Sequence, residues 1–468
     1  MDLRVKVRNI RSIQETTLHL KRGLNILIGP NGSGKTSTLF ALKFLRDLVM
    51  HGAAQAVARG GGNKRVYHRG EEFIEFEIIC DYGLRTHRRK KVPLLFRWYI
   101  RVSQGGPDKI SIILKESFRI FELKSNKTFF RIEIDRSKVS RKPYSYFLVS
   151  PDEFGRDLFR ILDIGFKTEN KNKIFQKFII ALNDFLEAVS QDSEQSFFPS
   201  LSSLDREISK LFNLIKGIDE YNIIPDLARG SVEQLPSAYM KPNGEGVAEV
   251  IYCLKKGYFS RIERASSTNY DRRSNHISLR ASSFFFSPVY YRDRRQYDLK
   301  EAFENIKREL FAGVNVIDDI STEIDPTNGK RYVVFRSGEQ TFSPEEVSDG
   351  TIKWLCILVS IYVPVSMIYL LEEPENFLHP WMQQKLISNM REQAQEKEII
   401  YLLTSHSATI LNAVEPQELM VVTSSYEEGT TVDGLSDRDE IENLLESSNF
   451  RLGDLWVSGV IAGVPGHE

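Results

Sequence analysis

Gly29-Pro-Asn-Gly-Ser-Gly-Lys-Thr36 follows the apolar run Leu24 to Ile28 and precedes a helix-compatible segment, Ser37 to Leu48. Strand, glycine-rich loop and helix in that order predict an α/β fold with a phosphate-binding loop. Such a loop curls until successive N–H groups point inward at the positive end of the coming helix, where a nucleotide's β-phosphate sits. Asn31, Gly32, Ser33, Gly34, Lys35, Thr36 and Ser37 are therefore the candidate ATP contacts. Lys35 can bridge the β- and γ-phosphates, and Thr36 offers a hydroxyl to Mg2+.

A P-loop of this kind needs a second, acidic strand. Met367-Ile-Tyr-Leu-Leu-Glu-Glu-Pro-Glu375 supplies an apolar strand ending in two acids. Neighbouring strand residues face opposite sides, so one acid can hold the Mg2+ shell while the other reaches an attacking water. Glu372 is assigned to the metal and Glu373 to the water; the plain alternative is two solvated acids at a strand end. Ile399-Ile-Tyr-Leu-Leu-Thr-Ser-His406 is a further buried strand ending in polar residues. A lone histidine at a strand end is usually structural. Its place after the acidic strand makes His406 a candidate to sense the γ-phosphate or position the water, where neutral imidazole both donates and accepts.

Val347-Ser-Asp-Gly-Thr351 opens the apolar segment Ile352 to Ile361. Ser348 is well typed to cap that helix. A helix N-terminus presenting the Ser348 hydroxyl and the Gly350 amide also suits a γ-phosphate. Capping alone accounts for the motif just as well.

Length and composition bound the rest. At 468 residues and 41% apolar content the chain can bury sizeable cores, and Lys+Arg and Asp+Glu balance at 63 each. No global field holds such a chain on DNA or an anionic membrane, so any nucleic-acid contact must come from local patches. Cys80, Cys253 and Cys356 are far apart in apolar or mixed surroundings, which suits reduced thiols in a cytoplasmic protein and neither a metal cluster nor a disulfide framework. The one stretch long enough on paper to span a membrane, Trp354 to Leu371, is interrupted by Pro364, and a buried helix followed by a buried strand is expected there.

Along the chain, Leu3 to Leu20 reads as a hairpin broken at Asn9-Ile-Arg-Ser-Ile. Phe73–Cys80, Leu94–Val102, Lys109–Leu114 and Phe129–Ile134 read as strands of a β-rich lobe. Helical spacing appears in Asp157 to Leu162, Lys173 to Val189, Leu201 to Ile218, Gly246 to Lys255 and Leu299 to Phe311. Ser266 to His276 reads as a loop, Phe284 to Tyr291 as a strand, and Asn328-Gly-Lys as a hairpin turn. The expected organisation is lobe I with the P-loop and β-rich part (1–150), a mainly helical insertion (151–300) and lobe II with the acidic strand (301–468). Arg85-Thr-His-Arg-Arg-Lys-Lys91, with Phe96, Trp98 and Tyr99 after it, mixes cations and aromatics as nucleic-acid surfaces do. A charged turn before a core strand is the favoured reading of it.

With these residues in hand, the chain resembles the ABC-type ATPase heads of the RecF, SMC and OLD proteins, and most of all the compact bacterial AAA_21 or AAA_15 group. In that resemblance GPNGSGKT is Walker A, VSDGT the signature, IYLLEEPE Walker B, Asn376 to His379 the D-loop and LLTSHS the H-loop. Arg11 matches the family's phosphate-facing arginine or lysine, and Asn243-Gly-Glu-Gly resembles a segment of the group. Asp349 replaces the signature's first glycine, so its carboxylate must point away from phosphate. Glu372 replaces the Walker B aspartate and is one methylene longer. Gln55 is a candidate Q-loop glutamine, while Tyr67-His-Arg-Gly resembles the family's post-helix segment. OLD nucleases carry a Toprim domain after the ATPase, but the stretch beyond His406 lacks a run of carboxylates after strands, so the expectation is the head alone.

The resemblance implies a P-loop NTPase head that takes ATP and Mg2+ and hydrolyses ATP at the interface of a homodimer or higher oligomer. Standalone heads of this kind resemble the ATPase components of bacterial anti-phage systems such as PARIS and Septu, which work with a separate effector. The expected partner is therefore an effector protein, a nuclease, in trans, with no membrane. The alternative is a RecF-like DNA-repair or DNA-maintenance ATPase that binds DNA directly. A metabolic P-loop kinase is disfavoured, because signature and H-loop are present and no small-acceptor site is evident.

Overall fold

The structure, a computed structural model, describes residues 2–87, 90–105, 110–126, 128–136, 144–149, 192–202, 206–234, 239–257, 299–435 and 438–461. The expected helices in 157–162 and 173–189, the loop 266–276 and the strand 284–291 lie outside them.

The strands are β1 (Leu3–Ile10), β2 (Ile13–Leu20), β3 (Gly23–Ile28), β4 (Phe73–His87), β5 (Lys90–Ser103), β6 (Ile112–Glu122), β7 (Thr128–Asp135), β8 (Tyr144–Val149), β9 (Ile218–Tyr221), β10 (Asp319–Ile324), β11 (Arg331–Ser337), β12 (Gln340–Phe342), β13 (Ile368–Glu372), β14 (Ile400–Thr404), β15 (Leu419–Ser425) and β16 (Gly429–Gly434). Among the described residues, thirteen of them form one sheet in the order β8-β7-β6-β5-β4-β1-β2-β16-β15-β3-β14-β13-β9, and β10-β11-β12 form a small second sheet. The half from β8 to β2 is antiparallel. From β15 to β9 the strands run parallel.

The parallel part is buried on both faces, and the pleat divides its side chains between two cores. Leu27, Leu370 and Leu402 join a core with α1 (Lys35–His51). Ile26, Ile28, Tyr369, Leu371, Tyr401 and Leu403 join a second core with α2 (Asp349–Tyr362) and α3 (Pro380–Lys397). That double burial is why IYLL recurs in β13 and β14 as a continuous apolar run rather than an alternation. In β1 the pattern does alternate: Leu3, Val5 and Val7 are buried and Arg4, Lys6 and Arg8 are not.

The apolar stretch Trp354 to Leu371 divides as expected, into the end of α2 and β13. Among the described residues no helix is long and apolar enough to cross a membrane. Two boundaries differ from expectation. β6 runs from Ile112 to Glu122, well past Leu114. The helix expected through Ile218 ends at Lys216, and β9 follows it, adding an edge strand beside β13. The pattern Ile-Asp-Glu-Tyr is too short for periodicity to separate from a helix end. Within 151–300, then, the described residues include a strand of the central sheet.

Candidate functional site

Three strand ends meet here: the P-loop leaves β3, the acidic turn leaves β13, and β14 between them delivers His406. Gly34 caps α1 with φ 104. A Cβ there would lie 2.1 Å from Thr430 Oγ1, so the loop closes only around a glycine. Thr430, on β16, donates to Ser33 O at 3.0 Å, and its hydroxyl oxygen lies 2.9 Å from Ser12 Oγ, from which it can accept. Ser12 Oγ is also 2.8 Å from Ser37 Oγ, within hydrogen-bond reach. The far C-terminal hairpin and the β1–β2 turn thus brace the cradle from one side. Ser33 Oγ is buried and has no hydrogen-bond partner among the described residues, as a donor left for a bound phosphate would be.

Lys35 is buried, and its ammonium donates to Gly29 O at 2.8 Å and Pro30 O at 2.9 Å. Burial holds it below the ordinary lysine range, against the pull of Glu373 and Glu372. The Thr36 hydroxyl donates to the Glu372 carboxylate. A hydroxyl and a carboxylate oxygen brought together at the mouth of a phosphate cradle are the hard oxygen donors that Mg2+ takes, so the residues fit that ion.

The strand ends at Glu372, and Glu373 stands beyond it with φ 43. The strand's alternation therefore does not extend to Glu373, which sits in a left-handed turn. Glu373 donates its N–H to Thr404, accepts from Asn376 Nδ2 at 3.0 Å and faces His406 Nε2 at 3.8 Å. Glu375, which the sequence reading left without a role, is buried and holds the H-loop: its Oε1 accepts from Ser405 Oγ at 2.7 Å and from His406 N at 2.9 Å.

Burial and the charge of Lys35 push His406 below 6.5, with Glu373 and Glu375 opposing. The imidazole is thus neutral at pH 7. An NMR titration of its ring protons should give a midpoint below 6.5, the value of the unfolded chain. Because the unfolded chain takes up that proton first, His406 costs the fold stability as pH drops from 6.5 towards the folded midpoint, and above 6.5 it costs none. A midpoint at or above the unfolded value would mean that the ring is not shielded as described.

Arg11 sits at the β1–β2 turn with φ 50, its guanidinium 3.3 Å above the Phe40 ring. Burial holds the Arg11 guanidinium below its ordinary range, with the charges of Glu220 and Glu372 pulling the other way. His68 of the Tyr67–Gly70 loop bonds to Arg11 O at 2.7 Å, whereas Gln55 is exposed on the helix Ala53–Arg59. Asn31 and Gly32 are exposed at the loop's tip.

Ser348 caps α2, accepting from Thr351 N at 3.2 Å. Gly350 is needed because a Cβ would lie 2.5 Å from Phe377 O. Among the described contacts none joins Ser348 or Gly350 to the P-loop; theirs run to the D-loop and to α2 itself. Lys353, also unforeseen, is buried one turn further along and reaches Glu373 O at 3.5 Å. The side chains of the basic turn 85–91 lie outside the described residues.

A family model described as an AAA ATPase domain matches residues 1–411. The chain is 38% identical over 71 residues to the DNA replication and repair protein RecF of Proteus mirabilis strain HI4320, covering 15% of this chain and 18% of that one. It is 28% identical over 85 residues to the endonuclease GajA of Bacillus cereus strain VD045, covering 18% of this chain and 13% of that one. The chain thus spans less than a fifth of the length of either relative. Among solved structures, an Smc head bound to the C-winged helix domain of ScpA matches with a TM-score of 0.43 and 10% identity, over 94% of this chain and 98% of that one.

Proposed function

The chain belongs to the AAA_15 family of AAA ATPase domains, and from that premise we propose that two copies enclose Mg-ATP and hydrolyse it, each giving its P-loop, Glu372, Glu373 and His406 to one site and its signature to the other. The observation that carries this is the convergence of Lys35, Thr36, Glu372, Glu373 and His406 at neighbouring ends of β3, β13 and β14. Lys35 places a point charge between the β- and γ-phosphates, and the Ser33 to Ser37 amides orient them. Glu373 accepts the proton of the attacking water, and neutral His406 donates to the γ-phosphate or holds that water. Thr36 and Glu372 would hold Mg2+, which when bound neutralises charge on the β- and γ-oxygens. Arg11 completes the phosphate shell from the β1–β2 turn.

The signature is assigned to the opposite site because its contacts here run away from the P-loop of its own chain. Ser348→Arg should therefore leave ATP binding by a single head intact and abolish hydrolysis. Mixing it with Lys35→Ala should restore turnover, since one of the two sites in a mixed dimer is then intact. A dead mixture in which mixed dimers demonstrably form overturns the shared-site arrangement.

An ATP-gated dimer is useful only if something binds one state better than the other. We read the chain as a defence ATPase that senses an invader and controls a separate effector nuclease. The similarity to GajA, an endonuclease, supports that reading, and the similarity to RecF supports the alternative of a DNA-maintenance head that binds DNA itself. Expressing the protein with its native neighbours and pulling it down with and without Glu373→Gln separates them. A protein retained in one nucleotide state supports the effector. No specific protein in either state, with tight DNA binding by the chain alone, supports the RecF-like role.

A further inference from the structure

Asp349 is the first residue of α2, next to the serine that caps it. A bare carboxylate there would repel the γ-phosphate that the helix N-terminus is meant to attract. The structure gives it a partner that the sequence did not announce. Arg229, last residue of the short helix Pro225–Arg229, pairs through Nη2 with Asp349 Oδ1 at 2.6 Å. The same guanidinium donates through Nε to Pro344 O and through Nη2 to Val347 O, both at 2.9 Å. Its side chain is 13% exposed, against 49% for Asp349. One planar fork thus holds the segment that enters α2 at three points, which a lysine's single ammonium is not shaped to do.

Arg229 is itself well placed. It follows β9, which pairs with the acidic strand β13. Two backbone bonds tie the chain between β9 and Arg229 to the Pro242–Asn243 turn: Asn222 N–H donates to Pro242 O at 3.1 Å and Ile224 N–H to Asn243 O at 3.0 Å. Just beyond, Val232 exchanges both backbone bonds with Arg331 at 2.8 Å. The stretch carrying Arg229 is therefore anchored to β13 on one side and to the small sheet on the other.

We propose that Arg229 is the positioning residue of the signature: it draws the Asp349 carboxylate off the phosphate side and fixes the approach to α2 against the strand that carries Glu372. The inference rests on the ATPase reading above, and it makes the segment 222–232 part of the hydrolytic apparatus without contact to the nucleotide.

The test compares the full-length chain with Arg229→Ala, Arg229→Lys and Arg229→Ala combined with Asp349→Gly. ATP affinity of a single head should stay within about twofold in all of them, because the site of the P-loop is elsewhere. Turnover should fall about tenfold or more in Arg229→Ala, the scale of losing a charge-assisted bond at a working group. Arg229→Lys should recover little of it. Removing the stranded carboxylate with Asp349→Gly should recover about threefold or more, which a merely structural arginine would not allow. Independently of catalysis, amides of residues 345–351 should exchange faster in nucleotide-free Arg229→Ala, with those of α1 unchanged. Unaltered exchange at 345–351, wild-type turnover in Arg229→Ala, or no recovery on adding Asp349→Gly each overturns the proposal. If instead the wild-type chain hydrolyses no ATP, or Lys35→Ala hydrolyses it equally well, the ATPase reading falls, and the exchange measurement still decides the role of Arg229.

Discussion

Glu373→Gln should hold ATP and hydrolyse it about a thousandfold more slowly than the parent chain, the middle of the range for removing a general base. The amide is nearly isosteric and can still accept from Asn376 Nδ2, which lies 3.0 Å from the carboxylate. The backbone turn at φ 43 is untouched. What is lost is the capacity to take the proton of the attacking water, at a position 3.8 Å from the neutral imidazole of His406. Filter binding of labelled ATP and a single-turnover time course read the two effects separately. Near wild-type turnover would move the base to another residue, with Glu372 first in line.

Lys35→Ala should weaken ATP binding by roughly 30- to 150-fold, the equivalent of about 2–3 kcal/mol for hydrogen bonds to a charged group. The loop amides remain, so the phosphate cradle keeps its shape and loses its point charge. Two further consequences follow from its neighbours. Glu372 and Glu373 both lose the cation that they attract. His406 loses a repelling charge, so its midpoint should rise towards 6.5. Titration calorimetry at fixed Mg2+ gives the affinity, and an unchanged value would remove Lys35 from the phosphate site.

How much of this was legible depended on sequence distance. The P-loop, the acidic strand and the H-loop are each a single strand with the polar residues that end it, and a short window contains all that is needed to see them. The boundary of β6 was missed because Glu116, an acid, occupies the buried face. It accepts from Trp98 Nε1 at 2.9 Å, Ser196 Oγ at 2.6 Å and Phe197 N at 2.9 Å, and no alternation rule anticipates a carboxylate satisfied by three distant donors. Thr430 and Arg229 were unreadable for the same reason, since each acts on residues more than a hundred positions away. The pleat rule was applied to Glu372 and Glu373 alike, whereas the strand ends at Glu372 and Glu373 stands in a turn with positive φ, where the alternation no longer holds. Glu375 could have been found: a third acid in Glu-Glu-Pro-Glu, directly before the D-loop, invited a role.

The brace that Thr430 sets against Ser33 has a bearing on how the protein is made. Its two partners are 397 residues apart, so a chain growing from its N-terminus completes the P-loop sequence long before the strand that steadies it exists. β3 is in the same position, because both neighbours that flank it, β14 and β15, come from the last quarter of the chain. Contacts this distant in sequence form late and carry a large loop-closure cost. Nucleotide binding at the P-loop should therefore await the synthesis of β14, β15 and β16. In refolding, amide protection in the first turn of α1 should accordingly appear in the same kinetic phase as protection in β16, and not before it.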